Sequence, residues 1–102
     1  MNKKDIKYSI LELAHVSKGN TYKETLNNSR DLAKLAEAKG YHRFWFAEHH
    51  NMEHVGSSAT SLLMGYIAEN TEKIRVGSGG IMLPNHSPLV IAEQFGTLAR
   101  LY

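Results

Sequence analysis

The sequence predicts an α/β fold with parallel strands, the first three βα units of an eightfold (β/α) barrel cut short, in one partial domain over residues 1–102. Two observations predict it. Strand-like and helix-like segments alternate three times, and such alternation implies parallel strands joined by right-handed crossovers. The strands begin near residues 8, 43 and 75, a spacing of about 33 residues, and eight such units make roughly 260, the usual barrel length. The spacing carries no repeated sequence, and Arg100-Leu101-Tyr102 brings no helix stop signal.

Each element has its own signal. Tyr8 to Leu13 is short and apolar-rich, a first strand, and AHVSKGN then makes a polar loop. Thr21 and Glu24 form a capping box, the hydroxyl accepting from the backbone three residues on while the carboxylate reaches back. Leu26, Leu32, Ala33, Leu35 and Ala36 give the following helix one apolar face, and Gly40 suits the left-handed position after its end. Arg43 to Ala47, RFWFA, reads as a second strand, with Trp45 expected in the core. Ser57 or Ser58 is expected to cap a second helix to about Asn70, with Leu62, Leu63, Tyr66 and Ile67 as its apolar positions. Ile74 to Ser78 is a third strand that runs on through Gly79-Gly80 to Leu83. Pro84-Asn85-His86 breaks it. Ser87-Pro88 then opens a third helix, with proline at its first position, that carries Ala92, Phe95 and Leu98.

Composition excludes several classes. Hydrophobic content of 42% with 22% charged residues fits a globular protein rather than a disordered one. A net charge of +2 with scattered lysines argues against a nucleic-acid surface. The absence of cysteine removes disulfides, thiolate nucleophiles and Cys-based metal sites. No window reaches the apolar length of a membrane span, and MNKKDIKYSI lacks the apolar core of a signal peptide. A cytoplasmic location is the default expectation.

Chemistry gathers after the strands, where parallel α/β folds bind ligands. Of the six histidines, His15 follows the first strand, His49, His50 and His54 the second, and His86 the third. His42 precedes the second strand, where a structural role is expected. FAEHHNMEH adds Glu48 and Glu53 to the cluster. Three readings stand side by side. The histidines transfer protons or hydrogen-bond to a cofactor or intermediate. They bind a metal, with His50 and His54 one helical turn apart. Or they cap the loop. The spacing is not HExxH, and no metal ligand set is assigned. Gly79-Gly80 weakens a buried strand, which points to a bulge, an unusual backbone, or a flat ligand against bare peptide. GSGG lacks the lysine of a phosphate loop. Met52 and Met82 are candidates for lining an apolar cavity, or gap fillers.

FWFAEHHNMEHVGSSATSLL followed by IRVGSGGIMLPNHSPLVIAEQFGTLARLY closely resembles the N-terminal part of the bacterial luciferase-like flavin monooxygenases, and YSILELAHV resembles that family's first strand. The resemblance covers Tyr8 to Tyr102. It implies a (β/α)8 TIM barrel acting with reduced FMN and molecular oxygen on a small organic substrate such as an aldehyde, by way of a flavin peroxide. The deazaflavin F420 is the lesser alternative. By resemblance His49 is the acid–base or hydrogen-bond partner, accompanied by His50 and Glu48. Ser78, Gly79 and Gly80 match the cofactor-binding stretch, where relatives carry a non-proline cis peptide beneath the flavin ring. A flavin reductase and a homo-oligomer are the implied partners, with no nucleic acid and no membrane. His15 stands where relatives often have proline, and Glu53-His54-Val55 departs from their Pro-Gly pattern. Two other functions compete: a non-catalytic partial barrel that self-associates through its sheet edges, and a metal-dependent barrel enzyme.

Overall fold

The computed structural model describes residues 2–102. Three strands, β1 (Ser9–Glu12), β2 (Arg43–Phe46) and β3 (Arg75–Ser78), pair in parallel in the order β1-β2-β3. Three helices follow them in turn: α1 (Tyr22–Ala38), α2 (Thr60–Glu69) and α3 (Pro88–Leu101). Single 3-10 turns lie at Lys3–Asp5 and Leu83–Asn85. The register aligns Ile10, Phe44 and Val76 in one row and Leu11, Trp45 and Gly77 in the next. Because side chains alternate across a strand, these rows face opposite sides of the sheet.

The helices cover one side. Phe44 and Phe46 are fully buried there, edge-on at 5.5 Å, against Ala33 and Ala36 of α1, Leu63, Met64 and Ile67 of α2, and Ile74. Each buried phenylalanine contributes about 1.5–3 kcal/mol from apolar area alone. α1 begins at the Thr21–Glu24 capping box, both halves of which are formed, and Gly40 takes the left-handed backbone, φ +81°. Its buried face differs from the expected one. It consists of Thr25, Ser29, Ala33 and Ala36, while Leu35 is 55% exposed and Leu32 lies at the rim. Small side chains let the helix approach the two phenylalanine rings, and the leucines fall to its flanks.

Two helix starts also differ. Neither Ser57 nor Ser58 caps α2: its N-cap is Ala59, with no side-chain bond, because the buried Ser57 hydroxyl donates to the Ala47 carbonyl instead. Ser87 and Pro88 do open α3, but the Ser87 hydroxyl makes no cap bond; its carbonyl accepts the Ile91 amide at 3.1 Å. On α2, Leu62 is 75% exposed, one position off the inward face that Leu63 and Ile67 hold. β3 ends at Ser78, short of the expected run to Leu83.

The other side of the sheet is open. Leu11 is 56% exposed. Trp45, expected in the core, lies on this side and is half-buried, with the Arg43 guanidinium 4.6 Å from its ring centre. Gly77 beside it has no room for a side chain, since an added Cβ would lie 2.8 Å from the indole. Among the described residues no helix is long and apolar enough to cross a membrane.

Candidate functional site

The loops beyond the C-terminal ends of the strands are stitched together by short-range bonds. At the end of β1, Glu12 turns its carboxylate onto the Ala14 amide at 2.9 Å and accepts the Ser29 hydroxyl at 3.1 Å. Ala14 is buried with φ +53°, a left-handed backbone that costs an L-residue about 1–2 kcal/mol. Its carbonyl accepts the Gly56 amide at 2.8 Å. At the end of β2, the Ala47 carbonyl collects the hydroxyls of Ser57 and Thr60, which folds the following loop back over the strand. The His49 amide donates to the Ser57 carbonyl at 2.9 Å. Asn51, φ +56°, then turns the chain, a conformation asparagine tolerates. His15 and Val55 form an antiparallel bridge between the two loops.

Glu48 is the centre of the polar cluster. Its side chain is only 1% exposed. His50 Nε2 lies 2.7 Å from Oε2, and His86 Nε2 lies 3.0 and 3.1 Å from the two oxygens. The Met82 amide donates to Oε1 at 3.3 Å. Burial alone would push this carboxyl up; the bonds from His50, His86 and Met82 outweigh burial and hold it below the ordinary carboxylate range. An ionised carboxylate only accepts, so each ring presents a protonated Nε2 to it.

The predicted residues therefore divide. Glu48 and His50 are brought together. His49 is half-buried beside them and bonds to neither through its ring. Ser78 is paired with Phe46 in the sheet. The Gly79–Gly80 peptide bond is cis, and the Gly79 amide donates to the Phe46 carbonyl at 2.6 Å. Both glycines are exposed. A Cβ at Gly79 would lie 3.1 Å from Leu11 Cδ1 and 3.3 Å from Trp45 Cβ, whereas one at Gly80 meets no atom within 4 Å. The result is bare peptide on an apolar floor. Met52 and Met82 are exposed. His54 is exposed, its carbonyl accepting the Val16 amide at 2.8 Å, and the 50–54 stretch is a turn rather than a helix, so His50 and His54 share no helix face. Among the described residues no group of three His, Cys, Asp or Glu side chains could hold a metal ion.

Sequence reasoning passed over Glu12 and did not join His86 to Glu48. His86 was visible as a histidine after the third strand, but its bond to Glu48 joins loops 38 residues apart. His42, at the other end of the sheet, does as expected: its amide and carbonyl bridge Tyr8 and Arg75. Burial, then Lys7, Arg43 and Arg75, lower its pKa.

Two of the clefts beside the core bear on the site. The larger, about 560 Å³, runs along β3 between α2 and α3, lined by Met64, Ile74, Val76, Phe95 and Tyr102. It contains no histidine and none of the Glu48 cluster. The smaller, about 350 Å³, is bounded by Glu48, His50, His86 and the first turn of α2. Size favours the first, but the histidines and the carboxylate of the Glu48 cluster line the second.

The profile of the family described as Luciferase-like monooxygenase matches residues 6–102. The chain belongs to the luciferase-like monooxygenase family. It is 59% identical over 102 residues to a protein of Escherichia coli strain K12 named luciferase-like monooxygenase, covering 100% of this chain and 30% of that protein. It is 47% identical over 96 residues to the N-acetyl-S-alkylcysteine monooxygenase of Bacillus subtilis, covering 94% of this chain and 29% of that protein. The chain thus spans about 30% of the length of the curated relatives it matches. Among solved structures, it superposes on apo-MsnO8 with a TM-score of 0.92 at 46% identity, over 95% of this chain and 30% of that one. The oxygenating constituent of 3,6-diketocamphane monooxygenase from Pseudomonas putida, in complex with FMN, gives 0.84 at 19% identity, over 92% and 26%. The latter likeness is one of fold.

Proposed function

We propose that this chain forms the first part of a flavin-dependent monooxygenase site, in which reduced FMN and molecular oxygen oxidise a small organic substrate such as an aldehyde. The observation that carries the reading is the bare Gly79–Gly80 peptide, open beside Trp45 and Leu11, with histidines at the end of the neighbouring strand. The family membership supports it, as does the FMN held by the Pseudomonas putida neighbour. The chain is read as the first three units of a (β/α)8 barrel, whose remaining wall corresponds to the length of the relatives that it does not span.

The residues present fit a flat, partly apolar ring. Gly79 and Gly80 would admit it against the backbone, with Ser78 behind them, and Leu11 and Trp45 would shield it from water. Bound flavin supplies the activation of oxygen, which no side chain here can provide. His49 would hold or move a proton at its ring nitrogen beside the ring. Glu48 orients His50, fixing its proton on Nε2. A reductase delivering reduced FMN, a homo-oligomeric state and a cytoplasmic setting complete the reading.

Gly80→Val tests it. A Cβ at this position meets no atom within 4 Å, and urea unfolding of the two proteins checks that the variant folds. The same side chain occupies the space assigned to the ring, so FMN affinity followed by flavin fluorescence falls at least about tenfold. Equal affinity in the two proteins contradicts the assignment.

A further inference from the structure

We propose that His86 is a positioning residue of this site: acting through the Glu48 carboxylate, it sets the ring of His50 and pins the Ile81–His86 segment to the end of β2. The role rests on the reading of this strand mouth as the reaction site.

The geometry of Glu48 makes the case. Its carboxylate offers two oxygens to three donors: His50 on one, Met82 on the other, and His86 across both. With the side chain 1% exposed, water is a poor substitute for a missing donor, and an unmade bond to a buried charge is costly. His50 is different. Its side chain is 44% exposed, so packing does not fix its ring. Among the described residues its one side-chain bond is to Glu48. Whatever sets the carboxylate plane therefore sets His50, and the group that spans both carboxylate oxygens is His86.

The chain delivers His86 deliberately. After the glycines, Leu83–Asn85 form a 3-10 turn with Pro84 inside it. The His86 amide closes that turn on the Leu83 carbonyl at 3.0 Å, and Pro88 starts α3 two residues later. His86 thus sits between two proline-stiffened segments and ties the loop that follows the bare peptide to the loop that carries His49 and His50. A histidine that only filled space would need no ring nitrogen aimed at a buried carboxylate.

The test uses the full 102-residue chain without flavin, comparing wild type with His86→Leu, His86→Asn and His86→Gln by nuclear magnetic resonance. The Glu48 carboxyl is titrated by its carbon signal and the His50 ring by its nitrogen signals. His86→Leu removes the donor. His86→Asn keeps a polar group too short to reach, and serves if the leucine variant does not fold. Both raise the Glu48 midpoint, move the His50 ring signals and speed Met82 amide exchange by roughly fivefold or more. His86→Gln, which places an N–H near the position of Nε2, restores all three most of the way. Leucine and glutamine variants that behave alike, or a Glu48 midpoint unmoved by any variant, overturn the proposal. FMN titration of the same proteins keeps the two readings apart. No FMN binding with the Glu48 pattern intact removes the flavin reading and leaves the His86–Glu48–His50 coupling. Intact FMN binding with a flat Glu48 midpoint does the reverse.

Discussion

Glu48 accepts two imidazole N–H groups and a backbone amide while shielded from solvent. Replacing it with glutamine turns one acceptor into a donor facing other donors. We expect Glu48→Gln to lose about 1–3 kcal/mol at neutral pH, measured by urea unfolding. The sign with pH follows from the lowered carboxyl. Its contribution is fully present above the unfolded value of about 4.3 and is lost as pH falls through the lower folded midpoint. Wild type therefore loses stability on acidification in that window, and Glu48→Gln shows a flatter acid limb; equal limbs contradict the assignment. The sequence at this scale showed an acid and adjacent histidines where a strand stops, and so Glu48 and His50 were legible. His86 was not, because spacing along a chain says nothing about which loops meet across two crossovers. Nor did the run EHH reveal that only the second of its histidines bonds the carboxylate.

α1 and the α2–β3 turn are held by another carboxylate, at the opposite end of the sheet. Glu37 Oε2 accepts the amides of Glu72, Lys73 and Ile74 at 2.9, 2.5 and 2.8 Å. The amides of Ile74 and Lys73 are the main causes that lower its pKa, and burial opposes them. Glu37→Gln keeps one acceptor without its charge, and we expect a loss of about 1–2 kcal/mol in thermal or urea unfolding at neutral pH. The loss shrinks as pH falls through the folded midpoint, since protonation has then weakened the wild-type clamp as well. A variant as stable as wild type at pH 7 would show that the three bonds add nothing net. Element existence and order were legible from periodicity and capping: Thr21 with Glu24, Gly40, and Pro88 at the head of α3. Faces were less so. Leu32, Leu35 and Leu62 match a helical period and still point outward, since close packing on Phe44 and Phe46 selects small residues from α1. Ser57 has the chemistry of an N-cap and caps a strand end instead, a choice that only tertiary contact decides.

Across the whole molecule, a three-stranded parallel sheet with helices on one side leaves the other side open, with Leu11, Trp45 and the two exposed glycines on or beside it. Parallel order was legible because each strand is followed by a helix long enough to cross over. The open face was not, because FWFA is apolar on both faces of the strand: alternation sets Trp45 opposite Phe44 and Phe46, but nothing in the run says that its side has no covering layer. That face and the larger cleft beside β3 are rival places for a flat ligand, and they lie on different parts of the fold. Amide and indole shift mapping on addition of FMN separates them. The account predicts saturable shifts at Gly79, Gly80, His49 and the Trp45 indole, with Phe95 and Tyr102 unmoved. Shifts confined to Phe95, Tyr102 and their neighbours, or none at saturating FMN, would contradict it.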